Sequence, residues 1–282
     1  MESIFRSKET EKVFDDKGVV SVFFSNQDFI VALRVKFDLL LKKHGIQVKD
    51  EYFFSTFELS KSFKEDIQEV FLALLNPLLD ELFINYKILA VIAQIKPNSK
   101  NSEIGIHQDL TVLDESLYRS ITFWIPLTDS TMENGAIRVL EGSHKYFRSY
   151  RTHNMKDQFS RIKDFVKRDA TSYACKAGEA LAINASAIHF SPANLSSTNR
   201  YSIALSIVPK KASIELGYIN ENNFIDVYKV PDNFWLLYNN FNKERMGRPF
   251  FGVKVKTVNK EEDIEYSLKD YSLFERMVVD LK

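Results

Sequence analysis

Ile106-His107-Gln108-Asp109-Leu110 is the stretch on which the reading of this chain turns. In an extended strand alternate side chains share a face, so His107 and Asp109 project together while Gln108 points away. An imidazole beside a carboxylate supplies two members of a two-His-one-carboxylate facial triad, a donor set that suits Fe(II) and leaves coordination positions open. The answering stretch is His189-Phe190-Ser191-Pro192-Ala193-Asn194, with His189 as the candidate third ligand. Arg200 then opens the apolar run 201–208. Taken alone, His-x-Asp is a weak signal, because a solitary histidine is more often a surface or hydrogen-bonded core residue than a ligand.

The ordered company these residues keep is more specific. Trp124, Asn134-Gly135, Gly142-Ser143-His144, Gly178-Glu179, Asn194 and Arg200 follow His107 and Asp109 at compatible spacings. The set resembles the phytanoyl-CoA dioxygenase family of Fe(II)/2-oxoglutarate oxygenases, most strongly over residues 90–209 and more faintly over 18–29. The resemblance implies His107, Asp109 and His189 as iron ligands. It also implies Arg200 as the partner of the distal carboxylate of 2-oxoglutarate, with Ser191 and Trp124 as further co-substrate contacts. Fe(II), 2-oxoglutarate and O2 would be required. The implied reaction is hydroxylation of an aliphatic C–H in a small metabolite or natural-product intermediate, with release of succinate and CO2. Desaturation or ring formation needs the same residues and stays open, as does a jelly-roll binding protein without turnover. Related halogenases carry a small residue where this chain has Asp109, so halogenation is disfavoured. Beyond residue 210 the resemblance ends.

Composition narrows the class. A 282-residue chain can bury a sizeable core, and 45% hydrophobic with 27% charged residues is ordinary for a water-soluble protein. Thirty-eight basic residues balance 38 acidic ones, so no global basic signature points to nucleic acid. Cys175 is the single cysteine, which rules out an intrachain disulfide and suits a reducing, cytoplasmic setting. The polar segment 1–17 and the lack of a long apolar run favour a soluble protein without a membrane span. The expected partner is a small molecule; nothing in the composition specifies an oligomeric state.

Along the chain, residues 1–86 read as a helical flank. A strand over 19–24 leads to a helix capped by Ser25 or Asn26 and ending near Gly45. Ser62-Phe63-Lys64-Glu65 fits a capping box for the next helix, which Pro77 should break or kink, with Asn76 able to cap the continuation. Residues 87–209 read as short strands separated by turns. With helices packed outside, this is the pattern of a mainly β double-stranded β-helix, a cupin-like jelly roll. Gln94 ends an apolar strand, and either bonds to neighbouring backbone or reaches the active-site cavity. Asn134-Gly135 is a hairpin signal, and Gly142-Ser143-His144 reads as a closing turn.

Residues 145–168 carry eight basic side chains against Asp157 and Asp164. They form either a solvated face or a lid-like insertion that favours an anionic substrate, with Arg148, Arg151 and His153 as candidate contacts. Residues 210–282 are an aromatic-rich elaboration of the same domain, including Phe234, Trp235, Tyr238, Phe241, Phe250 and Phe251, with a helix expected over 264–281.

Overall fold

The computed structural model describes residues 3–58, 60–238, 247–259 and 265–279. Its elements run α1 (Lys8–Lys17), β1 (Val19–Phe23), α2 (Gln27–Lys43), β2 (Phe53–Phe54), α3 (Lys61–Leu82), β3 (Tyr86–Lys96), β4 (Ile104–His107), β5 (Ile121–Pro126) and β6 (Ile137–Val139). They continue with α4 (Ser143–Tyr146), α5 (Lys163–Asp169), β7 (Thr171–Tyr173), β8 (Glu179–Asn184), β9 (His189–Ser191), β10 (Arg200–Pro209), β11 (Glu215–Ile219), β12 (Ile225–Lys229), β13 (Val253–Val258) and α6 (Leu268–Val279).

The period-2 patterning of β3, β5, β8 and β10 sorts their side chains between two faces of a six-stranded antiparallel sheet, ordered β1-β8-β5-β10-β3-β2. Val91, Ala93, Phe123, Ile125, Leu205 and Ile207 point outward and meet Leu33 and Phe37 of α2 and Ile67, Phe71 and Leu75 of α3. Trp124, Leu181, Ile183 and Ala204 point inward against Ile137 and Val139 of a smaller sheet, ordered β4-β9-β6-β7. Two facing antiparallel sheets with helices outside form the jelly roll. One stretch of the inner face is polar, because Gln94, Lys96, Arg200 and Ser202 are all buried there.

Several local expectations change. α3 starts two residues earlier than the capping box suggested, with Ser60 as N-cap accepting from the Phe63 amide at 3.2 Å. It also runs through Pro77 unbroken. Asn76 and Pro77 lie on the solvent face of α3, where a carbonyl released by the missing N–H can turn to water. Asn134-Gly135 does not close a hairpin: β5 and β6 belong to different sheets, so this turn carries the chain across the barrel. Gly142 is left-handed (φ 79°) and starts the short helix α4 in place of a simple turn.

Residues 145–168 pack against the barrel through a buried apolar face. Phe147, Phe159, Ile162 and Val166 are buried with Ile188 and Phe190, and α6 closes this cluster with Tyr271 and Phe274. Much of the segment's charge is neutralised by the surrounding fold. Lys145 pairs with Asp16, Arg151 with Glu115, Arg161 with Glu265, Lys167 with Glu103, and Arg168 with Asp169 and Glu275. Arg148, Lys156 and Lys163 have no ion pair among the described residues, so the positive charge left over is much smaller than the sequence suggests.

The C-terminal residues join the same body. β11, β12 and β13 form a third sheet, and Leu216, Tyr228 and Trp235 pack with Leu89 of β3 and Val208 of β10. Trp235 Nε1 donates to the Leu89 carbonyl. α6 begins at Leu268; Phe241, Ile264 and Leu281, included in the expected C-terminal elements, lie outside the described residues.

Gly135, on the way into β6, lies hard against the backbone that leaves its neighbour β9. Its φ is +79°, and a Cβ there would lie 2.1 Å from the Pro192 carbonyl oxygen. Gly135→Ala combines left-handed strain with a backbone clash, and should destabilise the protein by about 1–3 kcal/mol or more. Gly105→Ala meets nothing within 4 Å and should unfold near the wild-type temperature. Thermal melts of the two variants check this, and equal melting temperatures would contradict it.

Candidate metal centre

The pairing of β4 with β9 sets His107 directly opposite His189, and their ring centroids lie 4.2 Å apart. Each ring is oriented by a backbone carbonyl two residues earlier. His107 Nδ1 donates to Gly105 at 2.8 Å and His189 Nδ1 to Ala187 at 2.9 Å. With Nδ1–H committed, each Nε2 keeps its lone pair for a ligand.

Asp109 lies just past the end of β4, not within it, held by its own backbone. Its amide donates to the Ala185 carbonyl at 2.8 Å, and its carbonyl accepts from Arg151 Nε at 2.6 Å. Thr122 Oγ1, on the inner face of β5, donates to Asp109 Oδ2 at 2.7 Å. That leaves Oδ1 turned to the two imidazoles, 3.8 Å from His107 Nε2 and 4.0 Å from His189 Nε2. The candidate ligand atoms of all three residues lie within 4.8 Å of one another. Desolvation, then the facing His189, pushes His107 down to about 4, so its ring is neutral at neutral pH. Desolvation pulls the Asp109 carboxyl upward. His189, His107, Thr122 and Arg151 outweigh that pull and hold it below the usual carboxylate range. Two neutral imidazole nitrogens and one ionised carboxylate form a donor set that fits divalent iron.

Arg200 comes from the first position of β10 and is only 1% exposed. Its Nη1 donates to the Gly135 carbonyl, Nη2 lies 3.5 Å from the Tyr52 hydroxyl, and Cζ sits 5.1 Å from the Trp124 ring centroid. Its buried Nε has no hydrogen-bond partner among the described residues. A buried guanidinium with a spare donor and no carboxylate partner among those residues suits an anionic ligand such as a dicarboxylate.

The other expected contacts fall around it. Ser191 Oγ donates to the Gly135 carbonyl at 2.7 Å. Trp124 turns its indole N–H to Gln94 Oε1 at 3.2 Å and its ring to Arg200. Among the described residues the Gln94 side chain bonds to side chains and not to backbone: Oε1 also accepts from Tyr52 at 3.2 Å and Ser202 at 3.1 Å, which leaves its NH2 for a ligand.

Of the candidates in the basic segment, Arg151 is buried and tied to Asp109 and Glu115, which makes it a support for the ligand loop. Arg148 donates to the His144 carbonyl at 3.2 Å and lines a cavity of about 800 Å³ with Thr111, Tyr150, Asn184 and Ser186. Thr111 and Ser186 flank the backbone that holds Asp109, so this cavity borders the ligand loop. His153 is half-buried further along the segment and is not part of that wall.

Three polar residues escaped sequence reasoning: Thr122, Tyr52 and Lys96. Lys96 carried a signal, since a lysine two positions after Gln94 in an apolar strand must share its inward face. Tyr52 carried none, because β2 is only two residues long.

The family model for phytanoyl-CoA dioxygenase matches residues 42–202, and the chain belongs to this family. A phytanoyl-CoA dioxygenase domain-containing protein 1 homolog of Dictyostelium discoideum is 30% identical over 158 residues, 53% of this chain and 55% of that protein. The phytanoyl-CoA dioxygenase of Arabidopsis thaliana is 30% identical over 138 residues, 48% of this chain and 47% of that protein. The chain thus spans about half the length of the curated relatives it matches. Among solved structures, the non-heme alpha-ketoglutarate-dependent carbocyclase SnoK from nogalamycin biosynthesis superposes with a TM-score of 0.55 at 19% identity, covering 74% of this chain and 86% of that one.

Thr122 is the residue that turns Asp109 Oδ1 toward the histidines. Thr122→Val keeps its shape and removes that donor, and should weaken divalent-metal binding roughly 10–100-fold. Titration with Fe(II) or Mn(II) under anaerobic conditions measures it; unchanged affinity would show that Asp109 needs no such support.

Proposed function

We propose that this chain is an Fe(II)- and 2-oxoglutarate-dependent oxygenase that hydroxylates an aliphatic C–H of a small molecule. The carrying observation is the convergence of His107, Asp109 and His189 in a barrel whose inner face also buries Arg200, with no carboxylate partner among the described residues. In this reading Fe(II), held with 2-oxoglutarate, supplies the oxidising chemistry from O2 and yields succinate and CO2.

The chain's own contribution is placement. His107 and His189 present Nε2 because Gly105 and Ala187 accept their Nδ1 protons. Asp109 presents Oδ1 because Thr122 occupies Oδ2. Arg200 receives the distal carboxylate of the co-substrate, with Trp124 packed on its guanidinium and the Gln94 amide and Ser191 hydroxyl lining the same interior. Rigid strands carry the ligands while the wall 145–168 and the third sheet shape access.

No helix among the described residues is long and apolar enough to cross a membrane. The buried single Cys175 supports a reducing cytoplasmic location for a ferrous enzyme. Ring formation is the second reading, favoured by the fold likeness to a carbocyclase. Both readings require the same residues.

Incubation with Fe(II), 2-oxoglutarate and ascorbate across a panel of small metabolites tests the proposal through substrate-stimulated succinate release. His107→Ala, Asp109→Ala and His189→Ala should each abolish coupled turnover and sharply weaken metal binding, since a triad has no spare ligand. Arg200→Lys keeps the charge but loses the fork. It should raise the 2-oxoglutarate requirement well over tenfold while metal affinity holds, in line with the roughly 2–5 kcal/mol lost on breaking a buried charged pair. A variant of the triad with full activity, or an unchanged co-substrate requirement in Arg200→Lys, would remove that residue from its role.

A further inference from the structure

The least expected feature of the interior is a second buried cation. Lys96, the last residue of β3, is fully buried and stands in register opposite Arg200 of β10. Side chains so placed have Cβ atoms about 5 Å apart and share one face. No carboxylate among the described residues forms an ion pair with either. The nearest acid acting on Lys96 is Glu103, which is engaged by Lys167 at 3.5 Å. Tyr52 links the two cations, with its ring 5.0 Å from Lys96 Nζ and its hydroxyl 3.5 Å from Arg200 Nη2.

Resting on the oxygenase reading, we propose that Lys96 is a proton-linked positioning residue for the co-substrate: it takes up a proton when a dicarboxylate binds beside Arg200. The surroundings are built for both states. Nζ donates to the carbonyls of Ser102 at 2.6 Å, Pro192 at 2.6 Å and Ser191 at 3.2 Å, an acceptor for each of the three protons of an ammonium. Against that, burial and then the neighbouring Arg200 push Lys96 down to about 6, while Glu103 acts weakly the other way. At pH 7 those two effects favour the neutral amine, which has only two N–H groups for the three carbonyls. A carboxylate arriving between the strands cancels the repulsion from Arg200 and restores the ammonium to its cage.

The sign follows directly. Both carboxylates of 2-oxoglutarate are ionised throughout the neutral range, so proton exchange falls to the protein. Well below pH 6 Lys96 is already charged, and binding takes up almost nothing. Above it, binding takes up close to one proton, and affinity falls by as much as tenfold per pH unit until the raised pKa of the complex is reached. The ammonium also ties Ser102, before β4, to the segment following His189, so the protonated state braces both ligand-bearing strands.

Calorimetric titration of 2-oxoglutarate into the Mn(II)-loaded protein at pH 7, in buffers of different ionisation enthalpy, counts the protons. The same titration with 2-oxobutyrate, a 2-oxo acid lacking the distal carboxylate, cancels protons exchanged at the metal. The expected result is an excess uptake approaching one proton for 2-oxoglutarate at pH 7, falling to roughly a quarter of a proton at pH 5.5. In Lys96→Met the excess should disappear and the Kd should become flat between pH 6 and 8. Equal uptake for the two acids in the wild-type protein overturns the role of Lys96 and leaves the oxygenase reading intact, whether or not the variant folds. Persistence of the excess in a folded Lys96→Met protein also overturns it. Failure of 2-oxoglutarate to bind the Mn(II)-loaded protein at all would instead sink the oxygenase reading.

Discussion

The antiparallel pairing of β4 with β9 is the constraint on which the site depends. It brings together two histidines separated by more than eighty residues and places their rings 4.2 Å apart. Nothing local could hold two imidazoles that close, since each needs its Nδ1 proton bonded and its Nε2 free. The backbone meets that need, with the carbonyls of Gly105 and Ala187 acting as the orienting partners. Asp109 is steered by a different sheet through Thr122, so the ligand set spans both layers of the sandwich. The spacing between layers, maintained by Trp124, Ile137, Val139 and Leu181, is therefore part of the site's geometry.

A second constraint concentrates at the turn 134–135. The Gly135 carbonyl accepts from both Arg200 and Ser191, and the missing side chain of Gly135 lets the Pro192 carbonyl approach and hold Lys96. One glycine thus organises the acceptors around two buried cations. Keeping both groups charged with no carboxylate partner among the described residues would be costly in a low-dielectric interior. That cost is the physical support for an anionic ligand in the proposed oxygenase.

The basic segment 145–168 shows the limit of reading charge from sequence. Its excess of lysine and arginine suggested a field for an anionic substrate, yet Asp16, Glu103, Glu115, Glu265 and Glu275, scattered along the chain, come to meet it. Charge that is local in sequence is balanced in space by residues no window could include. Arg151 illustrates the same point: a candidate substrate contact by composition, it is committed to Asp109 and Glu115 in the fold.

The sequence by itself determined the class of fold, the family and the identity of the candidate ligand residues, because strand periodicity and the ordered spacing of His107, Asp109, His189 and Arg200 are properties of a linear string. That α3 continues through Pro77 without a break, and that the turn at Asn134-Gly135 closes no hairpin, could not be read from the sequence, since helix continuation depends on which face meets solvent and a turn signal does not say which sheet receives the next strand. Only the tertiary structure decided that Thr122 orients Asp109, that Tyr52 bridges Lys96 and Arg200, and that those two cations face each other without a carboxylate partner among the described residues. Those relations are set by cross-strand register and by the distance between sheets. Both arise from long-range packing, which alternation along a single strand does not encode.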